Sequence, residues 1–223
     1  MQSTQIRRTI MATIGATAAL ASPLVMAHVG ADGAPHLHDG SILSSLISGA
    51  AHPLTGLDHL AAMVSVGAWS ALGQSNEGDD TSRVRTLLAA PAAFASALLL
   101  GAMAGMAGLS LPGVEPMVAA SLLVLGLLLA TRLHVRAGLG ALLVAVFAVF
   151  HGLAHGSELG GHAAAALTGM LISTVGLHAL GIALGLRLRS ARHHQQRQLA
   201  SWAGAGVALL GLSMLTPAIA ASF

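Results

Sequence analysis

The run Ala137-Gly-Leu-Gly-Ala-Leu-Leu-Val-Ala-Val-Phe-Ala-Val-Phe150-His151-Gly-Leu-Ala-His155-Gly-Ser-Glu158 decides how this chain is read. Its apolar part is continuous, and as a helix the stretch from Ala137 to about Ser157 has the length of about 20 residues that a bilayer core requires. His155 and Glu158 follow His151 by four and seven residues, so a helix projects all three from one face. Two imidazoles and a carboxylate on one face are part of a metal site. His151 and His155 lie about 6 Å apart along the axis, close enough to share an ion, with Glu158 about one turn beyond. A second stretch, His52-Pro-Leu-Thr-Gly-Leu-Asp58-His59, opens another apolar run.

The composition agrees with a membrane protein. Of 223 residues 55% are hydrophobic and 8% charged, where a soluble domain carries about 25% charged residues. There is no cysteine, so thiolate sites and disulfides are excluded, and any metal is held by nitrogen and oxygen. Twelve histidines stand against eight acidic residues, and neutral imidazoles ligate metals. All ten basic residues are arginines. With 3% aromatic residues and no tyrosine there is little on which to stack bases, and no nucleic-acid partner is implied. A phosphate-binding Gly-x-x-x-x-Gly-Lys loop is impossible without lysine, so this chain binds no nucleotide in that way.

Residues 1–27 read as a secretory signal: Arg7 and Arg8, the apolar run Thr9 to Leu24, then Val25-Met26-Ala27 as a cleavage site. The competing reading is an uncleaved first span. Residues 28–41 then form a polar tail with His28, His36, His38 and Asp39, either a loose cation trap or a solvated linker. The domain proper is 42–223. Ile42, Leu43, Leu46 and Ile47 fall at helical spacing and predict a short interfacial helix over 42–51. Pro53 suits a first helical turn, and six spans follow: 53–72, 86–109, 114–131, 137–157, 162–186 and 199–218. The fold class is therefore all-α, a polytopic helix bundle with about six transmembrane helices.

The arginines orient it. Arg83, Arg85, Arg132, Arg136, Arg187, Arg189, Arg192 and Arg197 are all those beyond residue 27, and they fall in the loops 74–85, 132–136 and 187–198. Those loops are cytoplasmic by the positive-inside rule, which puts both mature termini in the periplasm of an inner-membrane protein. Small-xxx-small pairs such as Gly101/Gly105 and Gly181/Gly185 mark close helix packing.

Ionisable side chains inside spans are costly and mark a pathway or site. The candidate metal ligands are His52, Asp58, His59, His151, His155, Glu158, His162 and His178. A continuous helix separates His52 from His59 by about 10.5 Å, which predicts sites in series: His52 at the mouth, Asp58 and His59 opposite His151 and His155, and His178 as an inner ligand. The bland alternatives are a helix cap for His162 and a helix–helix hydrogen bond for His178. His134, His193 and His194 read as solvated.

The two motifs, His52-Pro-x-x-Gly56-x-Asp58-His59 and Phe150-His151-Gly-x-Ala-His155-Gly-x-Glu158, together resemble the HupE/UreJ family of nickel and cobalt permeases. The resemblance implies passage of Ni2+ or Co2+ into the cytoplasm for hydrogenase, urease or cobalamin assembly. It also implies that His52, Asp58 and His59, with His151, His155 and Glu158, are the working residues, and that the ion is cargo of a chain that is not an enzyme. Imidazole with carboxylate suits any late first-row divalent ion. Without a nucleotide site, transport is facilitated diffusion or coupled to an ion gradient. Two other readings compete: an intramembrane zinc hydrolase of the alkaline-ceramidase type, with Glu158 or Asp58 as base and Ser157 beside it, and a metal-buffering partner of another permease.

Overall fold

The computed structural model describes residues 41–73, 79–156, 162–190 and 194–220, and its elements are seven helices. They are α1 (Ile42–Thr55), α2 (Leu57–Leu72), α3 (Asp80–Met106), α4 (Val114–Thr131), α5 (Ala137–Gly156), α6 (Ala163–Ser190) and α7 (His194–Ala220). The expected signal segment, the tail as far as residue 40, and Glu158 lie outside the described residues. Helices α3, α4, α5 and α6 and residues 198–216 of α7 are each long and apolar enough to cross a membrane. Helix α2, with 16 residues, falls short of that length by itself.

The first expected span is thus built differently. Pro53 does not open a helix; it lies in the last turn of α1, and the chain breaks three residues later at Gly56, which is extended at φ −82°, ψ 113°. Proline removes a helical hydrogen bond and crowds the preceding turn, which weakens a helix locally. Nor does the 42–51 segment form a separate interfacial helix. It runs on to Thr55 and lies along α6: the Cα of Gly49 meets the Ala166 backbone, and that of Gly169 meets Leu46 and Ala50. The Ser173 hydroxyl donates to Ala50 O at 2.5 Å. Further along, Gly181 and Gly185 meet Val64 and Ala68, and Gly67 meets His178. Helices α1 and α2 therefore form one broken element parallel to α6.

Polar composition marked the edge of the apolar zone and not the end of the helices. Helix α3 starts at Asp80 instead of residue 86, because the Asp79 carboxylate caps it by accepting from Ser82 N at 2.9 Å. That hydrogen bond holds the Asp79 carboxyl below its ordinary range. Arg83 and Arg85 consequently sit on helix, as do Arg187 and Arg189 in the last turn of α6.

Glycine decides which helices pair. Gly101 and Gly105 of α3 face the carbonyls of Val149 and Leu153, while Gly152 and Gly156 of α5 face those of Leu98 and Ala102. These four positions zip α3 to α5, again in parallel. Gly126 of α4 and Gly204 and Gly211 of α7 make the third seam, which is antiparallel. Each of these glycines is in contact that a methyl would obstruct. By contrast Gly108 and Gly113, in the α3–α4 connection, are needed for their positive φ of 90° and 77°.

The three pairs meet around Met63, Val66, Phe94, Leu98, Leu122, Val144 and Met170, which are essentially inaccessible. Trp69 closes one end: its Nε1–H donates to Leu133 O at 3.0 Å, and its ring lies where a side chain at Gly140 would stand. Large apolar side chains such as Leu100, Leu142, Ile172 and Leu209 point outward, while Asp58, His59, Ser121, His151, His155, Thr174 and His178 are buried. An apolar exterior with the ionisable side chains kept inside is the polarity that a lipid solvent imposes.

A Cβ on Gly152 would come within 2.2 Å of Leu98 O, whereas one on Gly176 meets nothing within 4 Å. Gly152→Ala is therefore expected to destabilise the detergent-solubilised protein by about 1–3 kcal/mol. Gly176→Ala should be neutral or stabilising by up to about 1 kcal/mol. Denaturation followed by circular dichroism checks both.

Candidate metal centre

The break at Gly56 brings the two motifs together. With the chain turned there, the rise of a continuous helix no longer separates His52 from His59, and their ring centroids are 5.9 Å apart. The expected series of distant sites is thus corrected: His52 belongs to the same cluster as His59. Its Nε2 is 2.7 Å from His155 Nδ1. His155 Nε2 in turn contacts His59 Nε2, and His59 Nδ1 is 2.7 Å from Asp58 Oδ1. A compact group of three imidazoles from α1, α5 and α2, anchored on a carboxylate, results.

Gly56 is also a packing requirement. A Cβ there would lie 2.8 Å from His59 Nδ1 and 2.9 Å from Asp58 Oδ1, so the pair folds over the bare backbone of the break. Asp58 sits in the first turn of α2, where the positive end of the helix favours a carboxylate. Its bond to His59 Nδ1 fixes that ring and leaves Nε2 facing the cluster, the arrangement by which carboxylates orient metal-binding histidines.

His151 stands edge-on to His59, with centroids 5.1 Å apart. Its Nε2 is 2.8 Å from Ser121 Oγ on α4, and its Nδ1 is buried without a hydrogen-bond partner. Phe94 of α3, fully buried, touches the His151 ring at 5.7 Å and the His178 ring at 5.3 Å between centroids. It therefore contacts both imidazoles. His178 Nε2 is likewise buried without a partner.

Of the eight expected ligands, His52, Asp58, His59, His151 and His155 come together, while His178 packs against Phe94, which also touches His151. Glu158 is outside the described residues. His162 occupies the cap position of α6: its carbonyl accepts from Ala166 N and its N–H donates to Ser45 Oγ at 3.1 Å, while the side chain is exposed. Ser121 and Phe94 escaped the sequence reading. A lone serine and a lone phenylalanine on apolar helices carry no spacing signal, and only the packing of α3 and α4 against α5 selects them.

Among the described residues no three His, Asp or Glu side chains are disposed as a ready cage for a metal ion. His155 has both ring nitrogens on other imidazoles, those of His52 and His59.

The family model described as HupE / UreJ protein matches residues 16–214. This chain belongs to the HupE/UreJ family. It is 36% identical over 182 residues to Protein HupE of Rhizobium leguminosarum bv. viciae, covering 81% of this chain and 89% of that one. No solved structure matches it. Both motifs and all seven helices as far as residue 214 fall inside the HupE/UreJ match, so the family relation extends over the cluster and the bundle that holds it. With its apolar helices, it is a multi-pass membrane protein.

The cysteine-free background makes the cluster testable. His52→Cys combined with His155→Cys should cross-link with a one-carbon bis-methanethiosulfonate, read as an intact-mass shift. Leu54→Cys, at an exposed position of the same turn, should not cross-link to His155→Cys.

Proposed function

We propose that this protein carries nickel, or cobalt, across the inner membrane into the cytoplasm for metalloenzyme assembly such as that of hydrogenase or urease. One observation carries the reading: four imidazoles and a carboxylate, from α1, α2 and α5, converge in the buried interior of a bundle whose outer surface is apolar. Burying such groups in lipid is costly, and they mark an ion path. Imidazole and carboxylate ligands suit late first-row divalent ions. Family membership supports the same reading, since the HupE/UreJ match spans both motifs that supply this cluster.

The residues divide the work by depth. His52 is half-buried and receives the ion. His155, bonded to both His52 and His59, hands it inward when those bonds open. Asp58 supplies negative charge beside the transit point and keeps His59 oriented. His151 takes the ion next, and Phe94 is the apolar step before His178. A chain of weak, successive sites allows release as well as entry, which a single tight cage does not. Both mature termini are periplasmic in this reading, with the arginine-bearing ends of α3 and α6 in the cytoplasm.

Purified protein in liposomes should accumulate 63Ni2+, and unlabelled Co2+ should compete for its uptake. His59→Ala and His155→Ala should each reduce initial uptake by at least about tenfold, while His162→Ala retains it. Wild-type uptake in both histidine variants at equal protein would sink the proposal. Metal-dependent amide hydrolysis without uptake would establish the hydrolase instead.

A further inference from the structure

Ser121 is wholly buried on α4, a helix that contributes nothing to either histidine motif. Its Oγ is 2.6 Å from Val118 O and 2.8 Å from His151 Nε2. A carbonyl oxygen only accepts, so the hydroxyl proton lies toward Val118. Such back-bonding of serine to the preceding turn is common in helices. The hydroxyl oxygen then presents a lone pair to His151, and Nε2 must be the nitrogen that carries the ring proton. The opposite tautomer would set two lone pairs against each other at 2.8 Å. It would also bury an Nδ1–H, and Nδ1 has no hydrogen-bond partner.

The bare atom is therefore Nδ1. It belongs to a ring with 0% exposure that stands beside His59 on one edge and Phe94 on another. A neutral imidazole with one nitrogen donating to a fixed acceptor and the other unpartnered is oriented as a ligand. We propose that Ser121 is a positioning residue: it locks His151 in the Nε2–H tautomer, so that Nδ1 remains a ligand for a late first-row divalent cation leaving His59. This rests on the transport function proposed above, but the ring state is measurable without transport. Val118 is part of the device, because its carbonyl takes the hydroxyl proton that would otherwise compete for Nε2.

The experiment is 15N NMR of histidine-labelled protein in nanodiscs, above the pH range in which imidazole titrates, with the His151 signals assigned by their loss in His151→Gln. Wild-type protein should show a protonated Nε2 and an unprotonated Nδ1. Ser121→Ala should yield a mixture of tautomers and raise the KM for 63Ni2+ uptake in liposomes by about tenfold, and Ser121→Thr, which keeps the hydroxyl, should restore both. A wild-type His151 protonated on Nδ1 overturns the role of Ser121 without need of any variant. So does a Ser121→Ala protein with the wild-type ring state and KM. Absence of uptake in the wild type overturns the transport function instead, whatever the ring state.

Discussion

A carboxylate placed among apolar helices has to be held by a donor, and the rest of this bundle is arranged around how Asp58 is held. The adjacent residue, His59, is one donor to it, and both side chains fold over the glycine at which the helix is interrupted two residues earlier. The same interruption swings His52 back toward His59 and lets α5 insert His155 between them. One backbone break thus supplies the space, the orientation and the convergence. Without it, the motif would string its side chains along a rod.

The cluster lies where three tightly zipped helix pairs meet. Asp58, His59 and His178 belong to the pair formed by α1–α2 with α6; Phe94, His151 and His155 to α3 with α5; Ser121 to α4 with α7. Within each pair glycine lets backbones touch, and packed interiors tolerate little deformation there. Between pairs side chains make the contacts, and the polar ones include the imidazoles, the Ser121 hydroxyl on His151, Trp69 Nε1–H on Leu133 O and the Ser70 hydroxyl on Leu87 O. The site is therefore a junction of rigid bodies and not a pocket in one of them.

Much of this was legible in the sequence, for identifiable reasons. Apolar run length fixed α4, α5 and α6, and the arginines marked the ends of the apolar zone. The small-residue pairs Gly101/Gly105 and Gly181/Gly185 were packing contacts, as their spacing implied. What misled was treating charge as a helix terminator at residues 80–85, where Asp79 caps a helix that tolerates arginine well, and treating Pro53 as a beginning. A proline is compatible with a first or a last turn, and local sequence does not choose between them. The misplaced start then gave His52 a false distance from His59. Ser121 and Phe94 were invisible because their significance is entirely tertiary.

Sequence neighbours are not the closest partners in this molecule: α2 is zipped to α6, and α3 to α5. His59 and His155 are 96 residues apart in the chain, and His52 and His155 are 103 apart. For a protein made from its N-terminus at about 5–20 residues per second, Asp58 and His59 enter the bilayer seconds before their partners exist. The glycine seams of α1, α2 and α3 are likewise unmatched during that interval. Biogenesis must therefore shelter a half-built polar centre until α5 and α6 arrive.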